Sequence, residues 1–213
     1  MRNIKMLGLA VVAVAAFTSF IGVSSAAAAP HELIGLCGAE ELVLCKSPLT
    51  APQTITGTQE GNGVFVGGIF GTEECTGGTS TGKVEKVDTN PLVIKNLTFV
   101  FTGCTPCTKV TVETIAEAKV SMNTVLGNDW VLTGKGGAKF EGCPLGAKCK
   151  FGGSEVKTLI EMGGGKAWVN TNGTALKLEE GSAFLCGSEG KWTAKFNLTA
   201  GGKAVFPTLL GEV

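Results

Sequence analysis

The chain has 213 residues, with 32 Gly, 8 Cys, 11 Phe, 3 Trp, no Tyr, one His and a formal charge of zero. That length carries one domain with a real core, or two small ones. At 44% apolar and 17% charged it is not a disordered chain, and glycine richness without a three-residue period excludes collagen.

In chain order the first feature is a leader. Arg2 and Lys5 form a positive start, Met6 to Val23 is almost wholly apolar, and Ser24-Ser25-Ala26-Ala27-Ala28-Ala29-Pro30 supplies the small residues of a signal-peptidase site. Cleavage is expected after Ala26 or Ala28. An uncleaved membrane anchor is the alternative, because the apolar run is near spanning length. No other stretch is long and apolar enough to cross a bilayer, so no span is expected in the mature chain. Leu36 before Cys37 excludes a lipid-modified cysteine. The expected organisation is a signal peptide over 1–28, an N-terminal extension with a local disulfide over 29–60, and a single β domain over 61–213. Losing Arg2 and Lys5 leaves sixteen lysines against eighteen acidic residues, a charge of −2 with no arginine. Such a surface lacks the guanidinium footprint of nucleic-acid or phosphate sites, so neither DNA nor RNA is an expected partner.

Beyond the leader the signals are those of strands. Weak ones fall at Val64–Phe70, Val110–Ile115, Lys119–Val125, Trp130–Thr133, Ala167–Asn170, Ala175–Leu178 and Ala183–Cys186. Two are strong. In 97–102 the apolar phase is Leu97, Phe99 and Phe101; in 191–198 it is Trp192, Ala194, Phe196 and Leu198, opposite Lys191, Thr193, Lys195 and Asn197. Glycine-rich stretches near 57–82 and 134–137 read as loops, and Asn172-Gly173 reads as a hairpin turn. Only Glu113–Val120 offers a helical option, against which its Thr and Val residues weigh. Many short strands at regular spacing predict an all-β fold: an antiparallel β-sandwich or open barrel, stapled by disulfides.

Cys37, Cys45, Cys75, Cys104, Cys107, Cys143, Cys149 and Cys186 all follow the leader, and their even number predicts four disulfides in an oxidising compartment. Cys104-Thr105-Pro106-Cys107 has redox spacing, but a strand follows where a thioredoxin-like site needs a helix. Two pairing sets stand. One is Cys37–Cys45, Cys75–Cys104, Cys107–Cys143 and Cys149–Cys186. The other closes locally, Cys104–Cys107 and Cys143–Cys149, leaving Cys75–Cys186. The first is favoured because a two-residue ring is tight.

Catalytic chemistry is sparse. His31 is the single histidine and lies near the mature N-terminus, where neither a base nor a zinc ligand is expected. Gly77-Gly78-Thr79-Ser80-Thr81-Gly82-Lys83 imitates a phosphate loop, but Val84 stands where Ser or Thr must hold magnesium. Glu73-Glu74 and Glu179-Glu180 are adjacent pairs, and neighbours on a strand point to opposite faces, which argues against an acid–base pair. No cofactor or metal is expected. The candidate ligand-binding residues are Trp130, after a polar turn, and Trp168, out of phase with Ala167 and Val169.

The run 97–112, Leu-Thr-Phe-Val-Phe-Thr-Gly-Cys-Thr-Pro-Cys-Thr-Lys-Val-Thr-Val, with Cys149-Lys-Phe and Phe184-Leu-Cys-Gly-Ser-Glu-Gly-Lys-Trp-Thr-Ala, resembles blocks of a group of uncharacterised secreted proteins of soil actinobacteria of the Solirubrobacter type. The resemblance spans roughly 75–200 and departs at Phe196, where a Tyr-containing strand is usual. It implies export and a disulfide-bonded β fold, and carries no activity. The expected function is that of a non-catalytic secreted or cell-envelope protein, binding or structural. Its partner is unidentified, a cell-wall glycan or another envelope protein being the expected kinds. A secreted glycoside hydrolase using Glu carboxylates is the alternative.

Overall fold

The computed structural model describes residues 33–38, 45, 48–68, 71–123 and 129–210. The leader and His31 lie outside the described residues. Among those described, the strands are β1 (Ile34–Cys37), β2 (Gln53–Gln59), β3 (Gly63–Val66), β4 (Thr72–Val84), β5 (Leu92–Thr105), β6 (Lys109–Val112), β7 (Ile115–Asn123) and β8 (Asp129–Glu141). They continue with β9 (Cys149–Gly163), β10 (Lys166–Asn170), β11 (Thr174–Glu180), β12 (Glu189–Thr193), β13 (Lys195–Ala200), β14 (Lys203–Ala204) and β15 (Phe206–Leu209). One helical turn, α1 (Ala183–Cys186), precedes β12.

The pairings are antiparallel throughout and close on themselves. β4, β5, β8 and β9 are long, continuous staves. Four more staves are broken in the middle: β2/β3, β6/β7, β10/β11 and β12/β13 each lie along both neighbours as one interrupted strand. In chain order the staves pair as a meander, and the last returns to the first through β13–β2 and β12–β3. The result is an all-β antiparallel barrel of eight staves. β1 pairs β15 in a separate ribbon.

Alternation builds the core. On β5, Leu92, Ile94, Leu97 and Phe101 are buried, while Lys95 and Val100 face out. One apolar cluster fills one end of the barrel with Leu92, Trp130, Ile160 and Val169, and Ile34 and Val205 from the terminal segments close it. A second fills the other end with Phe65, Phe140, Phe151 and Trp192, together with five of the cysteines. Outward positions are lysines, glutamates and threonines, such as Thr81, Lys83, Lys119, Lys139 and Lys157. That is the reverse of a transmembrane barrel, which is apolar outside. No helix among the described residues is long and apolar enough to cross a membrane.

Several expectations are corrected. Most of the described residues of the glycine-rich stretches lie in β2, β3, β4 and β8, because a closed barrel needs small residues where its interior is full. A Cβ on Gly82 would stand 2.5 Å from Ile94 Cγ2, and one on Gly190 would stand 2.0 Å from Phe65 Cζ. The phosphate-loop imitation is therefore mid-strand in β4. β2, which falls within 29–60, is half of a stave and pairs with β4 and β13, so Gln53–Gln59 belongs to the barrel wall. Asn172-Gly173 makes a turn, Thr174 N–H donating to Thr171 O at 3.0 Å, but not a hairpin. β10 and β11 both run along β9, with Asn170 opposite Leu159 and Lys177 opposite Gly152, so the turn is a kink within one stave. The 191–198 strand is broken at Ala194, with its inward phase kept. Ala183–Cys186 is a helical turn instead of a strand, because Cys186 is tied to Cys149 at the barrel rim and Gly181 and Gly187 turn the chain on either side.

The cysteines pair as Cys37–Cys45, Cys75–Cys104, Cys107–Cys143 and Cys149–Cys186. Cys75 and Cys104 are direct partners across β4 and β5, so their side chains meet inside the barrel.

Candidate functional site

The two candidate tryptophans part company. Trp130 begins the inward phase of β8, pairs with Met122 and Ile160, and is 5% exposed in the first cluster. It holds the barrel together and offers no surface. Trp168 faces the other way, since Ala167 and Val169 take the inward positions of β10. It stands half-buried on the outer wall where β9, β10, β13 and the end of β2 meet.

A polar lattice surrounds Trp168. Its indole N–H donates to Glu60 Oε2 at 2.7 Å, and Lys166 Nζ reaches Glu60 Oε1 at 2.9 Å. Lys195 Nζ lies 4.2 Å from the ring centre, a cation–π contact, and pairs with Glu161 Oε2 at 3.0 Å. Asn170 Nδ2 donates to Glu161 Oε1 at 2.8 Å. The Lys166 ammonium and then the Trp168 indole hold the Glu60 carboxyl below its ordinary range. Asn170 and then Lys195 do the same for Glu161. Both acids are therefore anionic acceptors at neutral pH. Directly opposite Trp168 in the β10–β13 register, Asn197 carries a buried Oδ1 that has no hydrogen-bond partner among the described residues.

The glutamate pairs also separate. Glu74 is exposed, but Glu73 points inward and is 1% exposed. Its Oε2 accepts from Cys107 N–H at 2.8 Å and its Oε1 has no hydrogen-bond partner among the described residues. Burial pushes its pKa up against the smaller, opposite pull of that N–H. Glu73, Cys75 and Cys104 lie close enough to suggest a metal triad. Both sulfurs are spent in a disulfide, so thiolate ligation is closed to them. Glu179 and Glu180 were expected on opposite faces. A register shift between Leu178 and Glu180 instead brings both carboxylates to Lys150, at 3.3 and 3.5 Å, beside Glu113 at 3.0 Å. Lys150 occupies the middle of that cluster, and its own pKa is raised by Glu113 first and Glu179 second.

The buried acid makes a checkable prediction. A folded-state pKa above the unfolded value means the folded chain binds the proton more tightly. The stability this contributes is full below the ordinary carboxylate range and is lost as pH rises through the raised value. Glu73→Gln keeps an acceptor for Cys107 N–H and removes the charge. Its melting temperature should therefore exceed that of the wild type by a margin that grows as pH rises from about 4 to 7. A margin independent of pH would show that Glu73 is not titrating in its buried site.

Compared with known proteins, the chain matches no family model, no curated protein and no solved structure.

Proposed function

We propose that this protein is exported and non-catalytic, and that it binds a cell-wall glycan on the outer wall of its barrel at Trp168. The observation that carries the reading is the unpartnered Asn197 oxygen directly opposite an outward-facing indole. A buried acceptor without a donor costs free energy in the unliganded protein, and a ligand hydroxyl that reaches it removes that cost. Sugars offer what the patch lacks: a hydroxyl donor for Asn197 and an apolar ring face for the indole. Lys195 rests on the ring through a cation–π contact and pairs with Glu161, both of the exposed kind and each worth about 1 kcal/mol or less. Displacing it is a small cost.

Four disulfides support life in an oxidising space, as do the leader and the resemblance to secreted actinobacterial proteins. Trp168, Glu161 and Lys195 sit on paired strands, and Glu60 is the first residue past β2, so most of the side chains around the indole are held on sheet, as a preformed site requires.

The test is a glycan array and a cell-wall pull-down with oxidised mature protein. The wild type should be retained on envelope glycan, and Trp168→Ala should lose at least tenfold in affinity with its far-ultraviolet dichroism unchanged. Equal retention of the two proteins would place binding elsewhere. Release of reducing sugar by the wild type would favour the hydrolase instead.

A further inference from the structure

An eight-stranded barrel is just wide enough for its side chains to fill, or to hold one small ligand. Here the two core clusters do not quite meet. Between them, at the waist, lies a cavity of about 80 Å³. Phe99, Phe196 and Trp192 bound it on one side, and on the other the inward positions are small: Ala118, Gly134 and Ala138.

The wall beside the cavity is the irregular one. β6 and β7 part at 113–114, the β8–β9 register shifts between Gly134 and Gly136, and the Asn172-Gly173 kink interrupts the next stave. Between the pairs Leu159–Asn170 and Gly152–Lys177 no backbone ladder pairing joins β9 to the β10/β11 stave, and among the described residues a single side-chain hydrogen bond, Thr174 Oγ1 to Lys157 O at 3.1 Å, spans the gap. Val156, Thr171 and Thr174 line the cavity at this gap, and all three are only half-buried. The gap is a way in.

The polar groups at the cavity are already spoken for. Thr158 Oγ1 donates to Leu132 O at 3.4 Å, and Thr174 Oγ1 to Thr171 O at 2.6 Å. Thr171 Oγ1 donates to Trp192 O at 3.1 Å and accepts from Ala194 N–H at 2.7 Å. Among the described residues, the buried side-chain atoms without partners are on Gln59, Glu73 and Asn197, and none lines this space. A water held there needs two to four polar partners, and the lining side chains offer no free donor and only the spare lone pairs of threonine hydroxyls. The cavity is thus suited chiefly to dispersion contacts.

We propose that the waist of the barrel binds one small, uncharged, apolar molecule, a hydrocarbon of up to about three carbons by the volume share of comparable groups, which enters between β9 and the β10/β11 stave. Charged and hydrogen-bonding molecules of the same size are excluded, because entry strips their hydration and returns little. The site is separate from Trp168, which lies on the outside of the same wall.

Xenon and cyclopropane are the probes. Xenon nuclear magnetic resonance on the oxidised wild type should show one saturable site, with cyclopropane competing and methanol not competing. A crystal under xenon pressure should place the atom among Phe99, Ala118 and Ala138. Ala138→Leu, which fills the space, should lower xenon affinity at least tenfold. If that variant fails to fold, Val156→Phe narrows the half-buried mouth with less strain and should slow or abolish exchange. Absence of saturable binding in the wild type, a xenon atom located elsewhere, or unchanged binding and exchange in the folded variant would each overturn the proposal.

Discussion

Truncating Trp192 to Ala is expected to destabilise the protein by about 3–5 kcal/mol, the range for deleting a large buried aromatic side chain. Trp192 is 7% exposed and packs edge-on to Phe101, with ring centres 4.6 Å apart. It also touches Phe65 at 5.8 Å and Phe140 at 6.2 Å. These rings come from β3, β5 and β8, so one side chain ties the closing stave to three others. Two features place the cost at the upper end. Trp192 already lines the waist cavity, so truncation enlarges an existing void, and the surrounding staves are hydrogen-bonded on both sides and cannot collapse into it. Urea unfolding followed by circular dichroism gives the value, with Trp168→Ala as an outer-wall control losing at most about 1 kcal/mol. A loss at Trp192 no greater than that of the control would mean the aromatic cluster does not hold the barrel closed.

Where the sequence could be read, one face of a strand is buried and the other wet. The second half of β5, past the phase change at Asn96, and the β12/β13 stave alternate, so Leu97, Phe101, Trp192 and Phe196 are legible as core and Lys191 and Thr193 as surface. The phase of Trp168 is legible for the same reason. β4 is not, because its inward residues include Ser80 and Gly82, and the bulk that fills the space beside them belongs to other strands. Gly82 is small on account of Ile94, a fact that appears only when β4 and β5 are laid together. Closure of the barrel likewise depends on β2 meeting β13, more than a hundred residues later.

The site follows the same logic. Trp168 can be picked out locally, but Glu60 and Lys195 reach it through pairings that no local pattern encodes. Strand alternation already splits Glu73 from Glu74 in the sequence, but which of the two points inward depends on the phase of β4, which its glycines hide. Ala183–Cys186 misleads for the opposite reason: its apolar run suggests a buried strand, yet Phe184 is 78% exposed. The segment is apolar at a rim where the disulfide, and no sheet, fixes the backbone.

Removing the Cys149–Cys186 bridge by a double substitution to Ala should cost about 4 kcal/mol, against about 2.5 kcal/mol for Cys37–Cys45, if loop entropy dominates. The bridges close loops with sequence separations of 37 and 8 residues, and the chain-entropy cost rises with the logarithm of that length. Packing acts in the same direction at the long bridge. Both of its cysteines are almost wholly buried in the aromatic cluster, so the lost sulfurs leave a void there as well. The bridge ties the start of β9 to α1 just before the closing stave, and its loss frees the rim at the end opposite the β1–β15 ribbon. Peptide mapping without reduction comes first: fragments carrying Cys149 and Cys186 should be joined, and a Cys75–Cys186 fragment would overturn the pairing. Melting of the two double variants then tests the mechanism. A larger loss from the Cys37–Cys45 pair than from Cys149–Cys186 would show that local contacts, and not chain entropy, set what each bridge contributes.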